Sequence, residues 1–149
     1  METLLIAIGN PLRRDDGAAR RVIELLKPLP PGVEIRRIHQ LVPEIAEEIL
    51  PYSKVVFIDA IVMVPECTSS DIFFDEIVRP PVRWPGAVIH ESSPPEIVAL
   101  SRRVFGFEGR AWVCGIPGVD FSTGEGLSPL AESCARRAAQ VLRELLLTR

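Results

Sequence analysis

The chain has 149 residues, 47% of them hydrophobic, a formal net charge of −3 and three cysteines. That is enough chain for one substantial core and the size of a single domain, and the scattered arginines and mild acidity exclude a basic nucleic-acid footprint. No stretch offers the ~20 apolar residues of a membrane span, and "METLLIAIGN" lacks a basic leader and a cleavage site. With no close pair among Cys67, Cys114 and Cys134, neither a disulfide framework nor a structural zinc site is expected. The cysteines read as small buried thiols of a reducing cytosol, and the expected location is cytoplasmic.

In chain order, Leu4 to Ile8 is an unbroken apolar run ending at Gly9-Asn10, as in a strand buried on both faces. From Gly17 the spacing becomes helical through Ala18, Val22, Leu25 and Leu26, until the prolines and glycine of "KPLPPG" stop it. "VEIRRIH" alternates like an exposed strand, and "PEIAEEIL" reads as a short helix with proline in its first turn. "KVVFIDAIVM" is the most hydrophobic strand and should be central. "DIFFDEIV" follows too closely for a helical crossover and is expected antiparallel to its predecessor.

"AVIH" is then a short strand, "PPEIVALSRRVFG" a helix closed by Gly106, and "AWVCGI" a further strand. The Gly-rich "PGVDFSTGEG" leads to a last helix from about Pro129 to Leu147, with Ser128 as N-cap and Glu132 in its first turn. Alternating strands and helices define a single three-layer α/β domain over residues 1–149: a mostly parallel twisted sheet flanked by helices, with one antiparallel strand.

Ligands of open α/β sheets bind beyond the carboxyl ends of the strands, and three ligand-type side chains are expected there. Asp16 lies just past the first strand, Asp59 ends "VVFID", and His90 ends "AVIH". Two carboxylates and an imidazole suit a divalent transition metal. Taken singly, Asp16 could be an N-cap, Asp59 a turn cap and His90 a structural histidine. It is their common placement that favours a site. The positive end of the following helix favours an anionic Asp16, whereas Asp15, beside it, is expected to point elsewhere and stabilise the loop. His39 and Glu91 are additional candidates for lining the site or supporting it.

"GNPLRRDDG", the aspartate of "VVFIDAI", "HESSPPEIVAL" and "GIPGVDFSTGEGLSP" together resemble the nickel–iron hydrogenase maturation endopeptidases over nearly the whole chain. The resemblance implies removal of the C-terminal extension of a hydrogenase large-subunit precursor after nickel insertion. It places the metal-contacting positions on Asp16, Asp59 and His90, with the nickel held mainly by the precursor. Two departures stand out: "HQLVPE", with His39-Gln40, replaces a D-G-G-T-like turn, and Ala19 replaces a glycine.

No Ser-His-Asp or Cys-His set is readable, so the expected chemistry is attack of water on a polarised carbonyl, with Asp16 or Asp59 as a candidate base. Other readings of the same residues are a peptidase with its own resident ion, a nickel-checking chaperone that does not cut, and a nucleotide-binding module. The last is weakened by acids where a phosphate would sit.

Overall fold

The computed structural model describes residues 2–63, 71–78 and 92–148. Its elements in chain order are β1 (Thr3–Ile8), a 3₁₀ turn (Arg14–Gly17), α1 (Ala18–Leu26), β2 (Val33–Ile38), α2 (Ile45–Glu48), β3 (Lys54–Val62), β4 (Phe73–Glu76), α3 (Pro94–Leu100) continued by a π turn (Ser101–Phe105), β5 (Arg110–Gly118) and α4 (Pro129–Leu147). The sheet order is β2-β1-β3-β5-β4. The first four strands in that order run parallel, and β4 is antiparallel to β5. The three-layer, mostly parallel architecture expected from the alternation is therefore present, with "KVVFIDAIV" at its centre. One expectation changes: β4 turns back as foreseen, but its hydrogen-bonded neighbour is β5, not β3. In the sheet β5 lies between β3 and β4.

Period-two alternation divides the core. Leu5, Ala7, Val56, Ile58, Cys114 and Ile116 face α1 and α4, while Leu4, Ile6, Val55, Phe57, Ala111 and Val113 face α2 and α3. Both faces of the central strands are buried, which is why they read as continuous apolar runs. On the first face α1 presents Ala18, Ala19, Val22, Ile23 and Leu26 to the alanine-rich flank of α4. Ala19 is wholly buried there, so its departure from the resembled family is absorbed in helix packing. Polar ties close the same seam: Arg21 forms a two-toothed pair with Glu132 at 2.9 and 3.1 Å, a geometry specific to guanidinium and carboxylate.

On the other face the wholly buried Ser101 donates its hydroxyl to the Ala46 carbonyl at 2.5 Å, joining the π turn to α2. Gly106, in the left-handed region at φ 75°, ends that helix as anticipated. Cys114 and Cys134 are buried, and burial pushes the Cys114 thiol up to about 12. Cys67 and the "AVIH" strand lie outside the described residues. No helix among the described residues is long and apolar enough to cross a membrane.

Leu142 is fully buried in the α1–α4 layer. Leu142→Ala is expected to cost about 2–5 kcal/mol through lost transfer energy and a residual cavity; the midpoint of urea unfolding, at unchanged slope, measures it.

Candidate functional site

The site begins where β1 ends. Gly9 takes φ 135°, and a Cβ built there would lie 2.0 Å from the Asp16 carbonyl oxygen, so only glycine lets the loop fold back this tightly. The next residue, Asn10, donates its backbone N–H to Asp16 Oδ2 at 2.8 Å and accepts the Leu12 N–H on its own side-chain oxygen at 2.9 Å. Gly17 then passes Pro11 so closely that a Cβ would meet Pro11 Cα at 2.9 Å. "GNPLRRDDG" is thus a compact loop folded around the Asp16 main chain.

The two acids in it have different environments. Asp15 is wholly buried. Its Oδ2 accepts the N–H groups of Val119 (2.8 Å) and Asp120 (3.0 Å) and the Ser128 hydroxyl (2.7 Å), and its Oδ1 accepts the Ser128 N–H (2.7 Å). Burial pushes this carboxyl up, but the hydrogen bonds from Ser128, Val119 and Asp120 outweigh it and hold it below the ordinary range. Asp15 therefore stabilises the loop, as expected, and Asp16 is left partly exposed. Asp16 is not an N-cap, however. It belongs to the 3₁₀ turn, and α1 is preceded by Gly17 with no side-chain cap.

Asp59 is not the last residue of its strand. β3 continues through Ala60, Ile61 and Val62, because β5 continues alongside it through Ile116, Pro117 and Gly118. Asp59 instead lies level with Ile8, where β1 stops, and with Gly115. Chain connections leave in opposite directions between β1 and β3, so Asp59 sits at the switch point of the sheet, beside the loop that carries Asp16. Burial first, and the neighbouring Asp16 charge second, push the Asp59 carboxyl up to about 8, against a smaller opposing hydrogen bond from the Ala60 N–H. A carboxyl raised by burial and by a neighbouring carboxylate holds its proton well above the usual carboxylate range.

His39 follows the last residue of β2 and is exposed at the same end of the sheet. His90 and Glu91 lie outside the described residues. Among the described residues no three His, Cys, Asp or Glu side chains group as a metal site. A cleft of about 390 Å³ beside β1, β2 and α2 is elsewhere. Its charged rim is satisfied internally, Arg36 pairing with Glu48 at 2.8 Å and the Tyr52 hydroxyl donating to Glu34. Asn10 and Ser128 are the residues whose roles sequence reading missed. Asn10 after a strand-ending glycine was the available signal, whereas Ser128 was recognised only as a helix cap.

The raised Asp59 carboxyl has a consequence for stability. Unfolded, it titrates near 4; folded, near 8. Between these values the folded state keeps a proton that the unfolded state releases, so this group's contribution falls as pH rises and levels off above about 8. Asp59→Asn should therefore flatten the melting-temperature profile in chelator-treated buffer and melt about 2–4 °C higher than the parent near pH 8; calorimetry across that window tests it.

No protein-family model matches the chain, and comparison with curated proteins returns no match. Solved structures do match. The hydrogenase maturating endopeptidase HybD of E. coli superposes with a TM-score of 0.72 at 20% identity, covering 97% of this chain and 92% of that one. The hydrogenase 2 maturation peptidase of a Thaumarchaeota archaeon gives 0.68 at 19% identity over the whole of both chains. The [NiFe] hydrogenase maturation protease HycI of Thermococcus kodakarensis gives 0.68 at 22% identity, over 99% and 93%. This chain has the fold of the hydrogenase maturation endopeptidases.

Proposed function

We propose that the protein is an endopeptidase that removes the C-terminal extension of a nickel–iron hydrogenase large-subunit precursor once nickel has been inserted. The observation that carries the reading is the pair of carboxylates at the switch point, with Asp59 pushed up to about 8 by burial and by Asp16. It is supported by the fold shared with proteins named as hydrogenase maturation endopeptidases, peptidases or proteases. Asp16 and Asp59, with His90, contact nickel carried by the precursor. Two carboxylates and one imidazole leave a transition ion incompletely coordinated, and the precursor's own thiolates supply the stronger ligands. Nickel here belongs to the substrate.

Cleavage is hydrolysis. A water oxygen bonds to the scissile carbonyl carbon, the C–N bond breaks, and the proton lost from water reaches the leaving amine. A carboxylate of the pair, Asp16 or Asp59, accepts that proton in passing. The described cysteines have no part in this: Cys114 is wholly buried and Cys134 lies in the α1–α4 layer.

In chelator-treated buffer, nickel-loaded precursor should be shortened and nickel-free precursor left intact, read as large-subunit length on a gel. Equal cleavage of both would overturn the reading. Asp16→Asn, Asp59→Asn and His90→Ala should each lower processing at least a hundredfold, His39→Ala less, and single Cys→Ser changes at Cys67, Cys114 and Cys134 should leave it intact.

The cation must displace the Asp59 proton below about pH 8. Binding of loaded precursor should therefore tighten as pH rises to that value and then level off. A pH-independent affinity from 6 to 9 would remove Asp59 from the contact.

A further inference from the structure

We infer that Asp15 and Ser128 form a positioning pair that fixes Asp16 against Asp59, although neither reaches the substrate. The 3₁₀ turn that carries Asp16 is only four residues long, and so short a turn has little stability of its own. Its place is set from two sides. On the β1 side, Asn10 N–H holds Asp16 Oδ2 and Gly9 packs against the Asp16 carbonyl. On the β5 side, the grip falls on the adjacent residue. Asp15 donates its N–H to the Asp120 carbonyl at 2.9 Å, and its carboxylate takes four donors from Val119, Asp120 and Ser128. One peptide plane separates that anchored residue from Asp16, so movement of Asp15 must carry Asp16 with it.

Ser128 joins this anchor to α4. Its hydroxyl accepts the Ala131 N–H at 3.2 Å while donating to Asp15 at 2.7 Å. A stabilising tie between α1 and α4 already exists in the Arg21–Glu132 pair and the apolar seam. A buried carboxylate carries a desolvation cost that apolar packing would avoid. What Asp15 supplies, and an apolar residue could not, is a fixed distance between the β5 loop and the turn holding Asp16.

This rests on the proposed function only for its activity readout. The positional readout is the Asn10 amide, which reports the Asp16 carboxylate through their 2.8 Å hydrogen bond. In Ser128→Ala and Asp15→Asn its proton resonance should move upfield and its hydrogen exchange quicken about tenfold. Cleavage of nickel-loaded precursor should fall about a hundredfold in kcat/KM. Ser128→Thr, which keeps the hydroxyl, should restore both. Leu142→Ala, a core change on α4, should move neither at temperatures where it stays folded.

If Asp15→Asn does not fold, Ser128→Ala decides. An unmoved Asn10 amide in Ser128→Ala, or an equal shift in Leu142→Ala, overturns the inference, as does a shifted amide with processing at the parental rate. A shifted amide in a protein whose parent leaves loaded precursor uncut sustains the positioning role and overturns the endopeptidase reading.

Discussion

The working edge of this protein depends on a carboxylate that water does not reach. Asp15 is buried completely and receives four hydrogen bonds from a loop and helix end more than a hundred residues away. An unsatisfied charge there would be strongly destabilising, so the loop from Val119 to Ser128 and the turn from Arg14 to Gly17 stand or fall together. Secondary contacts follow from that coupling. Arg14 N–H donates to the Gly124 carbonyl at 3.0 Å, and Gly124 N–H to the Leu12 carbonyl at 2.8 Å. Gly124, at φ 145°, takes a backbone conformation that L side chains rarely adopt and passes close to the Arg14 guanidinium. Gly118 is constrained likewise, since a Cβ would lie 2.8 Å from Asp15 Cβ.

Beside this acid stands a pair with fewer donors. Asp59 sits among buried strand residues with another carboxylate close by, and the fold offers it one compensating N–H, from Ala60. The contrast separates two uses of the same side chain. Where donors converge, a buried aspartate is a structural tie. Where they do not, its carboxyl is held well above the usual carboxylate range.

Much of this was legible in the sequence. Unbroken apolar runs marked the doubly buried strands, and Ser128-Pro129 with Glu132 marked the start of α4. The adjacent acids implied that one of them, Asp15, serves the loop, and its four donors bear that out. What escaped was set by distant partners. The run "KVVFIDAIVM" was read at nearly its true length, but Asp59 was taken for a strand end because nothing local shows that β1 stops level with it while β5 runs on beside Ile61. The neighbour of β4 depended on where a strand some thirty-five residues later would lie. Asp15 could be read as a loop residue, but its donors at Val119, Asp120 and Ser128 carry no signal until the sheet brings them near.

The parallel sheet also dictates an order of assembly. β1 pairs with β3 across about fifty residues, and β3 with β5 across a similar span, so each ladder closes a long loop before its contacts accumulate. The turn bearing Asp16 is made near the start of the chain, yet it cannot be locked until Ser128 has emerged and docked. During synthesis the acid pair is therefore among the last features to acquire its geometry. A nascent chain with its first three strands in place still lacks the donors at Val119, Asp120 and Ser128 that tie down Asp15.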